Sequence, residues 1–394
     1  MSVTDNISPA VNTGSAVYSN RSVRIAVSFF FFCSGLCFAS WASRIPDIKA
    51  HLGLTHAQLG MILFALPAGQ LVTMPFSGRL VTRFGSRQVI RIAIFFYAIS
   101  LTNIGLANTE FQLALALFTF GVCGNLCNIS ANTQAIRAEQ LYGRPIMTSF
   151  HGVWSVAGFT GALVGLLMSG MQFSPYTHFW IVASVVIAGA VFMQANLQKG
   201  KAAPVERKKF FSKPDKMLMQ LGVIGFCSMA SEGAMFEWSG VYFKDVVHAP
   251  EKLIILGYTS FMIMAAVGRF VGDKLIIRFG RKRLLQYSGG LIATGLLLSA
   301  IFPYLVTATI GFMIVGVGVS SIVPMVYSST TRVSKIPSGM ALAAVSSISF
   351  LGFLIGPPLI GFIAEQSSLR YSFAVIAMLG LSITFMVSRL KALH

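Results

Sequence analysis

The sequence predicts an all-α integral membrane protein in which twelve transmembrane helices form two six-helix, pseudo-symmetric bundles. Three observations lead to this prediction. Of the 394 residues, 55% are hydrophobic and 11% are charged, and the mean hydropathy is +0.74, which is too apolar for a soluble domain. Apolar runs of about 20 residues, the length that crosses a hydrocarbon core of about 30 Å, recur along the chain. The third observation is an internal repeat at a separation of 195 residues.

The predicted spans are separated by short polar turns. Residues 1–22 form a polar tail that lacks the small-residue cleavage pattern of a signal peptide, so we expect an uncleaved first helix. Residues 197–216 form a basic connector, so the predicted bundles are 23–196 and 217–394. The predicted spans are 23–43, 57–77, 89–107, 111–136, 147–171, 176–196, 217–241, 253–277, 284–302, 304–331, 338–364 and 369–390.

The repeat is clearest in a basic turn that follows the second and the eighth spans. Glycine permits a tight chain reversal there, and arginine disfavours entry into the bilayer. The repeated residues are Leu80, Arg83, Phe84 and Gly85 in the first copy and Leu275, Arg278, Phe279 and Gly280 in the second. Two similar halves are therefore expected.

The formal charge of +18 is distributed unevenly between the two sides of the predicted bundle. An even number of spans puts both termini on one side, and we assign 25 of the 30 Lys and Arg residues to that side. Six of these, from Arg269 to Arg283, are counted with the second basic turn. This bias is the positive-inside signal, so we expect both termini and the connector to be cytoplasmic and the protein to lie in the cell inner membrane. The charge does not imply a nucleic-acid partner.

The five cysteines do not point to a metal or redox site. Cys33 and Cys37 share a helix face, as do Cys123 and Cys127, but no histidine lies near either pair in sequence. Cysteine is also a common small apolar residue in membrane helices. We expect no metal, no cofactor and no catalytic residues. An intramembrane enzyme could use His151 with a carboxylate, but no second catalytic residue lies at a spacing from His151 that suits such a role.

The fourth span is unusually polar. Asn125, Asn128 and Asn132 are spaced i, i+3 and i+7, which places them on one helix face. Buried amides are costly in a membrane unless they meet a partner or water. The amides could hydrogen-bond between helices or could line a polar cavity, and their number favours the cavity.

Aromatic and titratable side chains mark the other candidate contacts. Trp41 lies at the outer end of the first span, where it could anchor the helix at the interface or contact a solute. His151 opens the fifth span and could be structural or could contact a substrate or proton. In the seventh span, Glu232 lies past the midplane, while Glu237 lies near the outer edge beside Trp238. An ionisable group at such depth is a functional-site hypothesis, and an ion pair with an arginine is the alternative for Glu232.

The paired basic turns resemble the signature of the major facilitator superfamily, commonly written G-x-L-x-D-R-x-G-R-K/R. The stretches Ala39–Arg44, Asn132–Ala135, His151–Gly152 and Glu232–Ala234 are similar to the YbjJ-like branch, which is itself similar to fucose permeases. The resemblance implies twelve helices, alternating access between two halves and a gating role for the turns. The residues that we assign to gating are Gly78, Arg83, Gly85, Arg87, Asp273, Arg278 and Gly280.

Three positions depart from the family pattern. Thr82 and Ile277 stand where the signature has an aspartate, and Asp273, one turn before Ile277, is expected to replace the missing acid in part. Asn128 stands where the branch tends to have an aspartate, which leaves Glu232 as the better candidate for proton coupling.

These observations predict a monomeric, proton-coupled secondary transporter for a small polar, sugar-like solute. The expected solute contacts are Asn125, Asn128, Asn132, His151, Trp41, Trp238 and Glu237, and Glu232 is the expected proton site. Two alternatives stay open: drug or metabolite efflux by proton antiport, and a membrane sensor that has lost transport. A proline-containing glycine motif in the fifth span would favour antiport. Because the fifth span has no proline, the sequence favours uptake.

Overall fold

The computed structural model describes residues 19–143, 146–199, 216–333 and 338–390, and within these ranges it is helical apart from turns. Fifteen α-helices are described: α1 Asn20–Ser43, α2 Ile45–His51, α3 His56–Leu63, α4 Ala65–Phe84, α5 Ser86–Gly105, α6 Glu110–Tyr142, α7 Met147–Gly170, α8 Pro175–Met193, α9 Lys216–Asp245, α10 Leu256–Phe279, α11 Arg281–Ile301, α12 Leu305–Val319, α13 Ile322–Val333, α14 Ser338–Gln366 and α15 Leu369–Arg389. Most of the predicted tail and connector lies outside the described residues.

In the part of the chain that the structure describes, eleven stretches are long and apolar enough to cross a membrane. The predicted span at 217–241 corresponds to α9, which has 30 residues but is not among the eleven. Polar residues such as Gln220 and Glu232 lower its hydropathy, and most of its side chains are buried in the protein. The count of twelve spans therefore stays a prediction.

Two of the membrane-crossing stretches are each built from two helices. The second predicted span comprises α3 and α4, which meet at Phe64, and the tenth comprises α12 and α13, which are separated at Ser320 and Ser321. The short helix α2, which begins with Pro46 in its first turn, was not predicted from the sequence. It lies between the first two spans and contributes to the site described below.

The sequence repeat has the same geometry in both halves. Gly85 ends α4 with φ +85°, and its N–H donates to Val81 O at 2.9 Å. Gly280 ends α10 with φ +76°, and its N–H donates to Ile276 O at 2.9 Å. A residue with a Cβ is strained at such φ values, which explains why both turns have glycine.

The repeat extends to the close packing of helices. A Cβ added to Gly121 in α6 would lie 2.0 Å from the carbonyl oxygen of Leu66 in α4. A Cβ added to Gly316 in α12 would lie 2.4 Å from the carbonyl oxygen of Phe261 in α10. Both the glycines and their partners are 195 residues apart. Small residues at these crossings let the two backbones approach closely.

Helices α1–α8 pack chiefly on one another, and so do α9–α15; we call these groups the first and second halves. The strongest packing within the first half joins α1 to α7 and α4 to α6, and within the second half it joins α9 to α14 and α11 to α15. The end of the molecule that carries Gly85 and Gly280 is called the Gly85 side. The end where α9 stops at Asp245 is called the Asp245 side.

The paired glycine crossings yield a stability prediction. Gly121→Ala and Gly316→Ala should each lower the melting temperature of the purified protein by several degrees, because overpacking at a tight contact costs about 1–3 kcal/mol. Thermal unfolding in detergent measures the effect. Gly290→Ala in α11 is the matched control, since a Cβ there meets nothing within 4 Å. Equal melting temperatures for all three variants would contradict the packing account.

Candidate functional site

The two halves are joined by an ion-pair contact on the Asp245 side. Lys49 Nζ in the first half donates to Asp245 Oδ2 in the second at 2.8 Å, and His56 Nε2 lies 3.1 Å from the same oxygen. Asp245 is the last residue of α9, beyond the predicted span. Burial opposes its ionisation, but the hydrogen bonds from His56 and Lys49 outweigh this effect and lower the pKa of the Asp245 carboxyl to about 2.

Backbone packing reinforces this contact. A Cβ added to Gly60 in α3 would lie 2.7 Å from the carbonyl oxygen of Pro357 in α14, and one added to Gly361 would lie 2.4 Å from the carbonyl oxygen of His56. The Ala57 N–H, at the start of α3, donates to Glu365 Oε2 of α14 at 3.3 Å. The two halves are therefore in close contact on the Asp245 side.

A polar cluster connects the halves in the interior of the helix bundle. Arg269 Nη2 in α10 donates to Glu232 Oε1 in α9 at 2.7 Å, and Arg269 Nη1 donates to Ser155 Oγ in α7 at 2.9 Å. Ser155 Oγ in turn donates to the carbonyl oxygen of His151 at 3.2 Å. Arg269 and Glu232 belong to the second half, and Ser155 and His151 belong to the first. One guanidinium thus bridges the two halves.

The cluster members differ in how accessible they are. The Glu232 side chain is 10% exposed, whereas 30% of the Arg269 side chain is exposed. His151 is exposed, and its ring meets the edge of the Phe31 ring at 5.3 Å between centroids. The arginine is therefore the charged group of the pair that a small solute can reach more easily. A guanidinium in this setting can bind an anion or hold a carboxylate ionised.

An aromatic layer separates this cluster from the closed Asp245 side. Phe236 lies one helical turn beyond Glu232 along α9 and is buried. Its ring contacts aromatic side chains of both halves, at centroid distances between 5.4 and 6.4 Å. The rings around Phe236 are Phe38, Trp154, Tyr258, Phe261 and Phe353. Aromatic side chains of both halves therefore pack together between Glu232 and Asp245 along α9.

The three asparagines of α6 have different surroundings. Asn125 Nδ2 donates to Ser77 Oγ of α4 at 3.0 Å. This amide therefore makes a hydrogen bond between helices, which was one of the two roles considered for the asparagines. Asn132 Nδ2 donates to the carbonyl and side-chain oxygens of Asn128, within the same helix. Asn128 is exposed. Their role as solute contacts stays a prediction.

The predicted contacts on α1 and α9 are enclosed on the Asp245 side. Trp41 and Trp238 are both at most 1% exposed, and the Trp238 ring stacks on His56 at 6.2 Å between centroids. Glu237 is buried too. Among the described residues, neither the Nε1 atoms of the tryptophans nor Oε2 of Glu237 have a hydrogen-bond partner. These groups would become accessible only if the halves separated there.

The residues that are predicted to act in gating lie on the Gly85 side. The guanidinium groups of Arg83 and Arg278 lie over the rings of the phenylalanines that follow them, at 5.3 and 5.5 Å, and so repeat the same contact in each half. Arg87 Nη2 donates to the carbonyl oxygen of Ala195 at 3.3 Å. Gly78 lies inside α4. Asp273 lies on α10, but its side chain is outside the described part, so its compensating role stays a prediction.

Arg269 is the main correction to the sequence interpretation, which counted it among the charges of the second basic turn. The structure places it ten residues before the end of α10, about 15 Å into the bundle. The signal was available, because Arg269 falls inside the predicted span 253–277. An arginine within a span should be matched with an acid on a neighbouring helix. Removing it from the charge count leaves the positive bias intact.

Comparison with known proteins gives a consistent result. The Major Facilitator Superfamily family model matches residues 27–335 and 221–392. An uncharacterized MFS-type transporter of Yersinia pestis is 33% identical over 372 residues, which are 93% of this chain and 96% of the relative. The cis,cis-muconate transport protein of Acinetobacter baylyi is 24% identical over an alignment that covers 84% of this chain and 84% of the relative. A crystal structure of a mutant of the nucleoside transporter NupG superposes with a TM-score of 0.77 at 14% identity, covering 93% of this chain and 99% of that one.

The Asp245 contact predicts how one substitution shifts the balance between states. Asp245→Asn should increase the fraction of molecules open on the Asp245 side roughly fivefold, because losing a partly buried ion pair costs about 1 kcal/mol. A cysteine in place of the buried Leu59, in a background without the five buried native cysteines, should then react faster with a membrane-impermeant maleimide.

Two comparisons control this experiment. Glu110→Gln removes an acid that bonds Gln58 within the first half, so it should leave the labelling rate unchanged. Because the lowered pKa keeps Asp245 ionised, its contribution is complete above about pH 4 and is lost only as the pH falls towards 2. Titration of Asp245 should therefore not change the labelling rate between pH 5 and 8. Equal rates in Asp245→Asn and the parent would show that the contact does not hold the halves together.

Proposed function

The chain belongs to the major facilitator superfamily, and from that premise we propose that it carries a small polar solute across the membrane by proton-coupled alternating access. Its family and fold make it a secondary transporter rather than an enzyme. The observation that carries the proposal is the cluster of Arg269, Glu232 and Ser155. It lies in the interior and is shared between halves that are closed together on one side.

The orientation in the membrane follows from the charge bias. We place the Gly85 side in the cytoplasm, because the positively charged turns gather there, and we place both termini with it. This placement also requires α9 to cross the membrane as a twelfth span, which its 30 residues, about 45 Å, allow. The described state is then closed towards the outside, with the exposed His151 and Asn128 on the path to the cytoplasm.

Glu232 is the proposed proton-coupling residue. In the described state it is paired with Arg269, which supports an ionised carboxylate. If an arriving solute took the place of Glu232 on Arg269, Glu232 would be left as an unpaired carboxylate in the bundle interior. Such a charge is costly there, and taking up a proton removes it. A transport cycle could therefore exchange the Arg269 contact for a proton.

The solute is small and polar, and His151 and the α6 asparagines are its further proposed contacts. Of the proteins compared above, one is a transport protein for cis,cis-muconate and one, similar in structure, is a nucleoside transporter, and both solutes are small polar metabolites. The enclosed Trp41, Trp238 and Glu237 would contact the solute after the Asp245 side opens. Within the superfamily we place the chain in the YbjJ-like branch, on the stretches quoted above, and we expect it to act as a monomer.

Transport assays test this function. A thermal-shift screen of sugars, nucleosides, amino acids and organic acids on the purified protein first selects a solute that raises its melting temperature. Proteoliposomes should accumulate that solute when a proton gradient is imposed. Glu232→Gln should abolish accumulation but retain exchange of labelled for unlabelled solute, because a neutral amide cannot carry the proton. Accumulation by Glu232→Gln at the parent level would remove Glu232 from the mechanism.

A further inference from the structure

The geometry around Arg269 points to the chemical class of the solute. We propose that the solute carries a carboxylate or a similar planar oxyanion, and that this group takes the place of Glu232 on Arg269 while Glu232 takes up a proton from solution. The proposal rests on the function proposed above and makes it more specific. It differs from the sequence-based expectation, which was a sugar-like solute.

The shape and accessibility of the Arg269 guanidinium favour an oxyanion. A guanidinium is a planar fork of donors that matches a carboxylate, and such paired contacts are among the strongest hydrogen bonds in proteins. Arg269 Nη2 donates to Glu232 and Nη1 donates to Ser155, and 30% of the arginine side chain is still exposed. A neutral sugar would gain little from this charge, whereas an oxyanion can occupy the place that the Glu232 carboxylate already occupies.

Charge balance in the cluster links binding of an anion to uptake of a proton. Arg269 and Glu232 form a neutral pair, so an anion added to the cluster would leave one uncompensated negative charge in the bundle interior. Protonation of Glu232 restores neutrality. The proton comes from the aqueous phase, binds one carboxylate oxygen of Glu232 and leaves again when the solute departs. The site therefore gains one proton and one anion together, which is the requirement for coupling.

Other titratable groups that face the cluster, one of them on α7, are the competing candidates for the proton. On α7 this group is His151, and electrostatic interactions connect Tyr258 on α10 with Arg269 and Tyr327 on α13 with Glu232. The Phe353 ring of α14 packs near Gly233 and carries no charge. His151 is the one competitor of these that can gain a proton near neutral pH, so the experiment must distinguish it from Glu232.

Binding of an anion to Arg269 is also linked to movement of the halves. Arg269 also holds Ser155 across the boundary between the halves. An anion that occupies the guanidinium competes with both protein contacts, so its binding changes an interaction that joins the halves. This would connect occupation of the site directly to the conformational balance.

Binding with a proton readout tests the proposal. The purified full-length protein is mixed, in weakly buffered solution with a pH indicator, with formate, acetate, nitrate, succinate and benzoate, and with the neutral amides of the carboxylic acids. We expect the anions and not the amides to raise the melting temperature, with close to one proton taken up per anion bound. Arg269→Gln should weaken binding about tenfold or more, because it removes a charged hydrogen-bond donor.

Variants assign the proton. Glu232→Gln should bind the anion without proton uptake. His151→Gln removes a proposed solute contact and should weaken anion binding, but the number of protons taken up per anion bound should stay close to one. The matched controls Glu251→Gln and Arg389→Gln, which lie outside the cluster, should behave as the parent. Proton uptake that survives Glu232→Gln, or anion stabilisation that survives Arg269→Gln, would overturn the proposal. So would the absence of stabilisation by every anion tested.

A further set of measurements distinguishes failure of the anion proposal from failure of the proposed transport function. Sugars and nucleosides are tested in the same binding assay and in proteoliposomes with an imposed proton gradient. If neutral solutes bind and accumulate while anions do not, the protein is a proton-coupled transporter and the anion proposal is wrong. If no solute of either class moves in proteoliposomes although anions bind with a proton, the transport function is wrong and the anion site stands.

Discussion

The electrostatic constraint on Arg269 organises the interior of this protein. A guanidinium about 15 Å from the end of α10 cannot remain unpaired among apolar helices, and the structure provides Glu232 on α9 and Ser155 on α7. Because the acid and the hydroxyl come from different halves, satisfying this one charge also ties the halves together. Any movement that separates α7 from α10 breaks the hydrogen bond from Arg269 to Ser155, and a bound solute can replace Ser155 as the acceptor.

The surrounding packing is suited to moving the halves as units. Within each half, backbones meet closely at repeated glycines, as at Gly121 and Gly316, and such crossings resist deformation. Between the halves, the Asp245 side is held by the contacts of Asp245 with Lys49 and His56, by the hydrogen bond from Ala57 to Glu365 and by the close glycine packing at Gly60 and Gly361. Firm packing within the halves and a localised contact between them favour rigid-body rocking over internal rearrangement.

The sequence predicted the membrane class, the helix positions and the repeat because hydropathy and glycine turns are local signals. It also drew attention to Glu232 and Glu237, since acids in an apolar run are visible without a structure. It missed Arg269, which lies close enough in sequence to the basic turn to be counted with it. The Lys49–Asp245 contact joins residues 196 positions apart, so no local pattern could reveal it. Likewise, the Asn125 contact with Ser77 depends on the neighbouring helix rather than on the spacing of the asparagines.

The central claim is that the halves alternate between closure on the Asp245 side and closure on the Gly85 side. Pulsed electron paramagnetic resonance on two label pairs tests it directly, with His51 and Lys252 on the Asp245 side and Gln88 and Arg283 on the Gly85 side, all of them exposed. The account predicts two populations in which a short distance in one pair accompanies a long distance in the other. A bound solute should change their ratio. A single distance for each label pair, or distances that lengthen together in both pairs, would contradict alternating access.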